Sequence, residues 1–203
     1  MTDAHFLAAM AIAVDYDEGG TKGSAMLVPS MWPTWSRRPR LAILASFVDV
    51  IAGHLPDAPV NPTVDLRVQV TGPVPETGLV EMTGRALRVG RRLVVAETSL
   101  VHEGKLFAVA TTTFVNKVIG TGPMSPGGHD HNALESYEKL VDAKVVDERT
   151  IEVESTPQLS NGFAGTIQGG VQAFVAELAA EHLLDPGAEA VDLDIRYLNR
   201  MEV

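Results

Sequence analysis

The hydrophobic and polar positions of the chain change period several times, and each change marks an element. Residues 10–29, MAIAVDYDEGGTKGSAMLVP, predict two short strands around an acidic Gly-Gly turn. Residues 40–55, RLAILASFVDVIAGHL, carry no glycine before Gly53 and predict a mostly buried helix. TVDLRVQV alternates, with Val64, Leu66, Val68 and Val70 on one face, as a half-buried strand does. GLVEMTGRALRV, RRLVVAETSLVHE and KLFAVATTTFVN follow as three further strands with tight junctions at Gly90-Arg91 and Glu103-Gly104, which predicts antiparallel hairpins. The fold class expected is α+β, with one helix packed against an antiparallel sheet.

Residues 117–133, KVIGTGPMSPGGHDHNA, are rich in Gly and Pro and lack periodicity, so they read as a linker between a first domain (1–116) and a second (134–203). The pattern then starts again. DAKVVDERTIEVEST reads as paired strands, GGVQAFVAELAAEHLL as a helix and EAVDLDIRYL as a strand. FVDVIAGHLPDAPVNPTVDLRV also aligns with VAELAAEHLLDPGAEAVDLDIR, with a one-residue slip in the connecting loop. Asp49 falls on Glu177, His54 on His182, and VDL at 64–66 on VDL at 191–193. Helix, Pro-containing loop and alternating strand recur in order, which reads as a duplication. The second copy ends soon after its VDL strand, so the expectation is a partial second domain in a fragment of a longer chain.

A net charge of −10 argues against a nucleic-acid partner. Arginines cluster at Arg37, Arg38 and Arg40 and at Arg85, Arg88, Arg91 and Arg92, as solvated edges or as a site for a small anion. Without cysteine there is neither a disulfide nor a thiolate metal site. FLAAMAIAV is too short to span a bilayer and is preceded by Asp3 and His5, so no membrane association and a cytoplasmic location are expected. His129, Asp130 and His131 stand in the linker without a third ligand at metal-binding spacing, and no metal is expected. His54 and His182 end the two helices, where a cation suits the helix dipole.

Two acids stand out. Asp49 is the only charged residue between Arg40 and His54. An unpaired buried carboxylate is costly, so Asp49 needs a partner or a functional cleft. Glu177 lies in GTIQGGVQAFVAELAAE behind Gly169 and Gly170, and reads either as a cleft acid or, with Glu181, as an exposed acidic stripe.

GTIQGGVQAFVAE and the strands RALRVGRRLVVAETSLVHEGKLFAVATTTFV resemble the hotdog-fold acyl-CoA thioesterases, phenylacetyl-CoA thioesterases among them. Many of that family carry a His-Gly-Gly turn and a catalytic Asp or Glu nine residues after the His. In this chain Gln168 takes the His position, followed by Gly169 and Gly170, with Glu177 at the acid's distance. The first copy has Asp49 as the acid, but Arg40, Leu41 and Ala42 where the turn belongs. Asn161 is one residue away from where some members keep an active-site Asn. The resemblance implies a double (tandem) hotdog with an incomplete second copy, each being an antiparallel sheet wrapped around one long helix.

It also implies thioester hydrolysis, with no cofactor beyond the coenzyme A of the acyl-CoA substrate. A glycine turn at a helix N-terminus supplies amides for the oxyanion, Gly170 being the preferred donor. A carboxylate activates water or attacks the carbonyl. In the family the turn of one hotdog faces the acid of its partner. That pairs Gln168, Gly169 and Gly170 with Asp49, and leaves Glu177 facing the degenerate turn at Arg40. Arg88, Gly90 and Arg91 are expected at the nucleotide end of CoA. Trp32, with Trp35, either walls the acyl pocket or packs in a core or interface. A homo-oligomer is expected from exposed sheet edges. The alternative function is a non-catalytic hotdog that binds acyl-CoA or serves as a scaffold.

Overall fold

The structure is a computed structural model that describes residues 5–17, 19–55, 62–116, 134–160, 166–184 and 188–198. The expected linker, with His129, Asp130 and His131, and also Asn161, lies outside the described residues. Strands β1 (Ala13–Asp17) and β2 (Gly20–Leu27) form the first hairpin. Helix α1 (Leu41–Gly53) follows, then β3 (Thr63–Val70), β4 (Gly78–Val89), β5 (Leu93–His102) and β6 (Lys105–Val115). Beyond residue 134 come a short helix α2 (Tyr137–Val141), the hairpin β7 (Lys144–Asp147) and β8 (Thr150–Glu152), helix α3 (Gly169–Leu183) and β9 (Asp192–Arg196).

Seven strands make one antiparallel sheet in the order β1-β2-β4-β5-β6-β3-β9. The sheet curls around α1, of which every residue except Asp49 is buried. A helix that is apolar on all sides needs cover on all sides, which one concave sheet and a second helix supply. On β3 the sheet's inner face carries Leu66 and Val68, as the alternation predicts; the other strands add Val80 and Met82 on β4, Val94, Ala96 and Leu100 on β5, and Ala108, Ala110 and Phe114 on β6. Ile51 presses so closely on the sheet that a Cβ on Gly23 or Gly84 would meet its side chain at 2.2 or 2.9 Å. At those two positions glycine sets the helix-to-sheet distance.

The remaining side of α1 is covered by α3. Phe6 links the N-terminal segment to this layer through edge-on contacts with Tyr137 and Phe174. His54 ends α1 as its C-cap, its Nδ1 hydrogen-bonded to the Val50 carbonyl at 2.7 Å. That satisfies a carbonyl the helix itself leaves unpaired. No helix among the described residues is long and apolar enough to cross a membrane.

Candidate active site

The two long helices begin alike. Arg40 is the N-cap of α1 and Gln168 the N-cap of α3, both in extended conformation. Asp49 and Glu177 each stand eight residues after the first helical residue, Leu41 and Gly169. The helices pack so that each acid faces the start of the other helix. Strands β3 and β9 pair antiparallel with Leu66 opposite Ile195, Arg67 opposite Asp194 and Val68 opposite Leu193. Under the VDL alignment Leu66 corresponds to Leu193 and Val68 to Ile195, so the ladder exchanges equivalent residues about its centre. An isologous contact has that property.

Asp49 sits at the start of α3. Gln168 Nε2 donates to its Oδ2 at 3.3 Å, and Thr63 Oγ1 donates to its Oδ1 at 2.5 Å. Gln168 also caps α3, its Oε1 accepting from the Val171 amide at 3.1 Å. One buried amide side chain therefore fixes both the acid and the turn. Tyr197 donates its hydroxyl to the Gly169 carbonyl at 3.0 Å. A Cβ on Gly169 would lie 3.5 Å from Asp49 Oδ2 and 3.4 Å from Tyr197 Oη, so the turn, the acid and the phenol form one cluster. Asp49 is half-buried as a whole residue, but its carboxyl is turned inward away from water, and this desolvation raises it from 3.8 to about 6, against the opposing pull of the Thr63 hydrogen bond. Burial, and then the charge of Asp49, raise the Tyr197 phenol well above its ordinary value. The Gly169 and Gly170 amides form no hydrogen bond to another described residue, as first-turn amides have no helical partner.

Glu177 is arranged differently. It is 6% exposed, so the exposed acidic stripe is excluded: the start of α1 covers this face of α3. The Leu41 amide donates to its Oε1 at 3.0 Å and the Ala42 amide to its Oε2 at 2.7 Å. Burial raises its pKa, while the Ala42 and Leu41 amides and Arg40 pull the other way. Arg40 lies beneath the ring of Phe174 and pairs with Glu138 of α2 and Glu181 of α3. A cavity of about 80 Å³ opens at this end, lined among others by Trp35, Leu41, Val70, Glu177 and Ala190.

Sequence reasoning missed three residues of the Asp49 cluster. Ser46 had a signal, since it lies three residues before Asp49 on the same face of an otherwise apolar helix. Its hydroxyl donates back to the Ala42 carbonyl at 2.8 Å. Thr63 had none: it reaches Asp49 beside a register shift between Thr63 and Asp65, a kink set by tertiary pairing. Tyr197 follows β9 and lacked a signal too.

No protein-family model and no curated protein matches the chain. Solved structures do match. A Mycobacterium tuberculosis protein described as a candidate esterase superposes with a TM-score of 0.51 at 13% identity, over 57% of this chain and 98% of its own. A protein of Thermus thermophilus superposes at 0.50 and 18% identity, over 55% and 97%. A Ralstonia eutropha protein, described as a candidate thioesterase related to phenylacetic acid degradation, matches at 0.46 and 19%, over 52% and 85%. With the sheet order and the wrapped helix, the first two decide the fold. The chain has the hotdog fold.

Within the hotdog, the remaining residues singled out by sequence have other partners than the Asp49 cluster among the described residues. Arg88 is near the end of β4, opposite Val95, and Gly90 and Arg91 are in the β4–β5 turn. The Gly90 amide donates to the Leu93 carbonyl, and its own carbonyl accepts from Asn116. Among the described residues no hydrogen bond or ion pair ties these three to Asp49, Gln168, Gly169 or Gly170. Trp32 donates its indole N–H to the Glu76 carbonyl at 2.8 Å and stacks under Arg37. It is Trp35 that lines the cavity at the Glu177 end.

The two glycines of the turn differ in their surroundings. A Cβ on Gly170 would fall 2.0 Å from Ser46 Oγ and 2.7 Å from Gln168 Oε1, whereas one on Gly169 makes ordinary contacts. Gly170→Ala is therefore expected to cost about 1–3 kcal/mol in urea denaturation, by forcing the helices apart. Gly169→Ala should change stability by less than about 1 kcal/mol.

Proposed function

We propose that the chain is an acyl-CoA thioesterase with one working cleft, formed by Asp49 of α1 and the first turn of α3, in a double-hotdog arrangement whose partial second copy is residues 134–203. A fold of this kind hosts many chemistries, so the reading rests on the side chains. The observation that carries it is geometric: the Asp49 carboxylate, held by Thr63 and Gln168 and raised to about 6 by burial, stands beside a helix start whose two glycine amides bond to no other described residue. A base near neutrality and preorganised oxyanion donors are the two parts thioester hydrolysis needs.

In this mechanism the thioester carbonyl oxygen lies against the Gly169 and Gly170 amides, at the positive end of the α3 dipole. Asp49 takes a proton from a water, and the water oxygen forms a bond to the carbonyl carbon. The carbonyl π-pair moves onto oxygen, where the two amides stabilise it. When that pair returns, the carbon–sulfur bond breaks, and the thiolate of CoA leaves with the proton held by Asp49. The products are the carboxylic acid and free CoA. Gln168 and Thr63 keep the carboxylate in place, and Tyr197 fixes the Gly169 peptide.

The activity assay is thiol release from a panel of acyl-CoAs of different chain length and branching. Turnover on at least one supports the reading. Saturable binding without turnover on any of them supports the non-catalytic acyl-CoA binder instead. The pH profile adds a second check. Because the Asp49 pKa is raised to about 6, the base form is lost as pH falls below that value. kcat/KM should fall about tenfold per pH unit below pH 6 and be flat from about pH 7 to 8. A profile breaking near 4 would point to a different base.

A further inference from the structure

Five residues of the Asp49 cluster have counterparts under the repeat alignment that line the cavity at the other end of the helix pair. Asp49, Gln168 and Gly169 correspond to Glu177, Arg40 and Leu41, and Thr63 and Tyr197 correspond to Ala190 and Val70. The second cleft thus keeps its walls and an open volume of about 80 Å³. What differs is the helix start. The amides of Leu41 and Ala42 are each taken by one oxygen of Glu177, at 3.0 and 2.7 Å. The equivalent amides of Gly169 and Gly170 make no such bond, and Asp49 stops at the Gln168 side chain, 3.3 Å away. Both acids branch from the same position of their helices, and Glu is longer than Asp by one methylene. A side chain that reaches the amides competes with any substrate oxygen for them, at an effective concentration no free ligand matches.

We infer that in this chain the reach of the helix acid, with Gln168 standing before the amides at one end only, decides which cleft is open: Glu177 fills the amide pocket of α1 with its own carboxylate and acts as an internal latch, while Asp49, one methylene shorter and stopped at Gln168, leaves the amides of α3 free for a substrate. The latch locks the two helices together at one end and confines chemistry to the other. The neighbouring charges agree with a sealed end. Facing Glu177 are Arg40 from the start of α1 and Glu181 from its own helix, with Glu138 of α2 on the far side of Arg40. The two terminal nitrogens of Arg40 are taken by Glu138 and Glu181, whose two carboxylates balance its charge, while its buried Nε has no hydrogen-bond partner among the described residues.

The inference deepens the thioesterase reading but is testable without it, by amide hydrogen exchange on the intact chain. In the wild type, Leu41 and Ala42 should exchange at least about tenfold more slowly than Gly169 and Gly170. Glu177→Asp should speed exchange at Leu41 and Ala42 by about tenfold or more and lower the Tm. Asp49→Glu should slow exchange at Gly169 and Gly170 by a similar factor, raise the Tm, and reduce thiol release by about a hundredfold or more although a carboxylate is retained. Unchanged exchange at Leu41 and Ala42 in Glu177→Asp overturns the inference, and so does full thiol release in Asp49→Glu. If the wild type releases no thiol at all, the functional reading fails while the exchange results still decide the latch. Should Asp49→Glu not fold, the Glu177→Asp exchange result decides alone.

Discussion

Asp49→Asn is expected to lower thiol release by about 10²–10⁴-fold, the usual contribution of a positioned general base, while leaving the protein folded and at least as stable at pH 7 to 8. The two halves of this expectation have one cause. The amide is isosteric with the carboxylate: its oxygen still accepts from Thr63, and only the longer 3.3 Å bond from Gln168 is lost. It has no basic oxygen to take a proton from water. Stability follows from the sign of the shift. The folded chain holds the Asp49 proton more tightly than the unfolded chain, about 6 against 3.8, so ionisation favours unfolding. The stabilising difference is full below pH 3.8 and is lost as pH rises through 6. The asparagine variant has no such dependence, and its Tm should overtake that of the wild type across this interval. Loss of activity together with loss of stability would make Asp49 a structural acid instead.

The largest effect on stability is expected at Arg40. Its side chain is 2% exposed, under Phe174, between Glu138 and Glu181. Removing one partner of a buried ionic cluster leaves the others uncompensated, and Arg40→Ala should cost about 3–5 kcal/mol. In a domain of this size that lowers the Tm by roughly 10 °C. The cost should depend on pH with a definite sign. Arg40 lowers the pKa of both Glu177 and Glu181, which burial otherwise raises. Without it these acids ionise less readily in the folded chain, so the variant should lose more stability at pH 8 than at pH 5. Adding Glu138→Gln and Glu181→Gln should recover part of the loss. Thermal unfolding at the two pH values measures both effects.

The hydrophobic pattern made most of the architecture legible. A long apolar run broken only by Ser46 and Asp49 predicts a mostly buried helix, and the alternation that includes Leu66 and Val68 marks the inner face of β3. The repeat placed Asp49 and Glu177 at equal distances along their helices. It did not reveal how differently they are used. With Glu181 four residues on, Glu177 carries the local pattern of a solvated stripe, and only the docking of α1 buries it. Helix α2 had a usable start signal in Ser136, whose hydroxyl accepts from the Lys139 amide at 3.1 Å, but at five residues it is too short for a period to show. Thr63 and Tyr197 join the cluster through strand register and chain path, which no local pattern encodes.

The most direct test of the account is a crystal structure with an acyl-CoA analogue in which a methylene replaces the thioester sulfur, keeping the carbonyl but not the scissile bond. With Asp49 and the α3 turn as the working cleft, the carbonyl oxygen lies about 3 Å from the Gly169 or Gly170 amide, and Asp49 is one water away from the carbonyl carbon. A carbonyl bound instead at Leu41 and Ala42 with Glu177 displaced, or turned away from both helix starts, would contradict it.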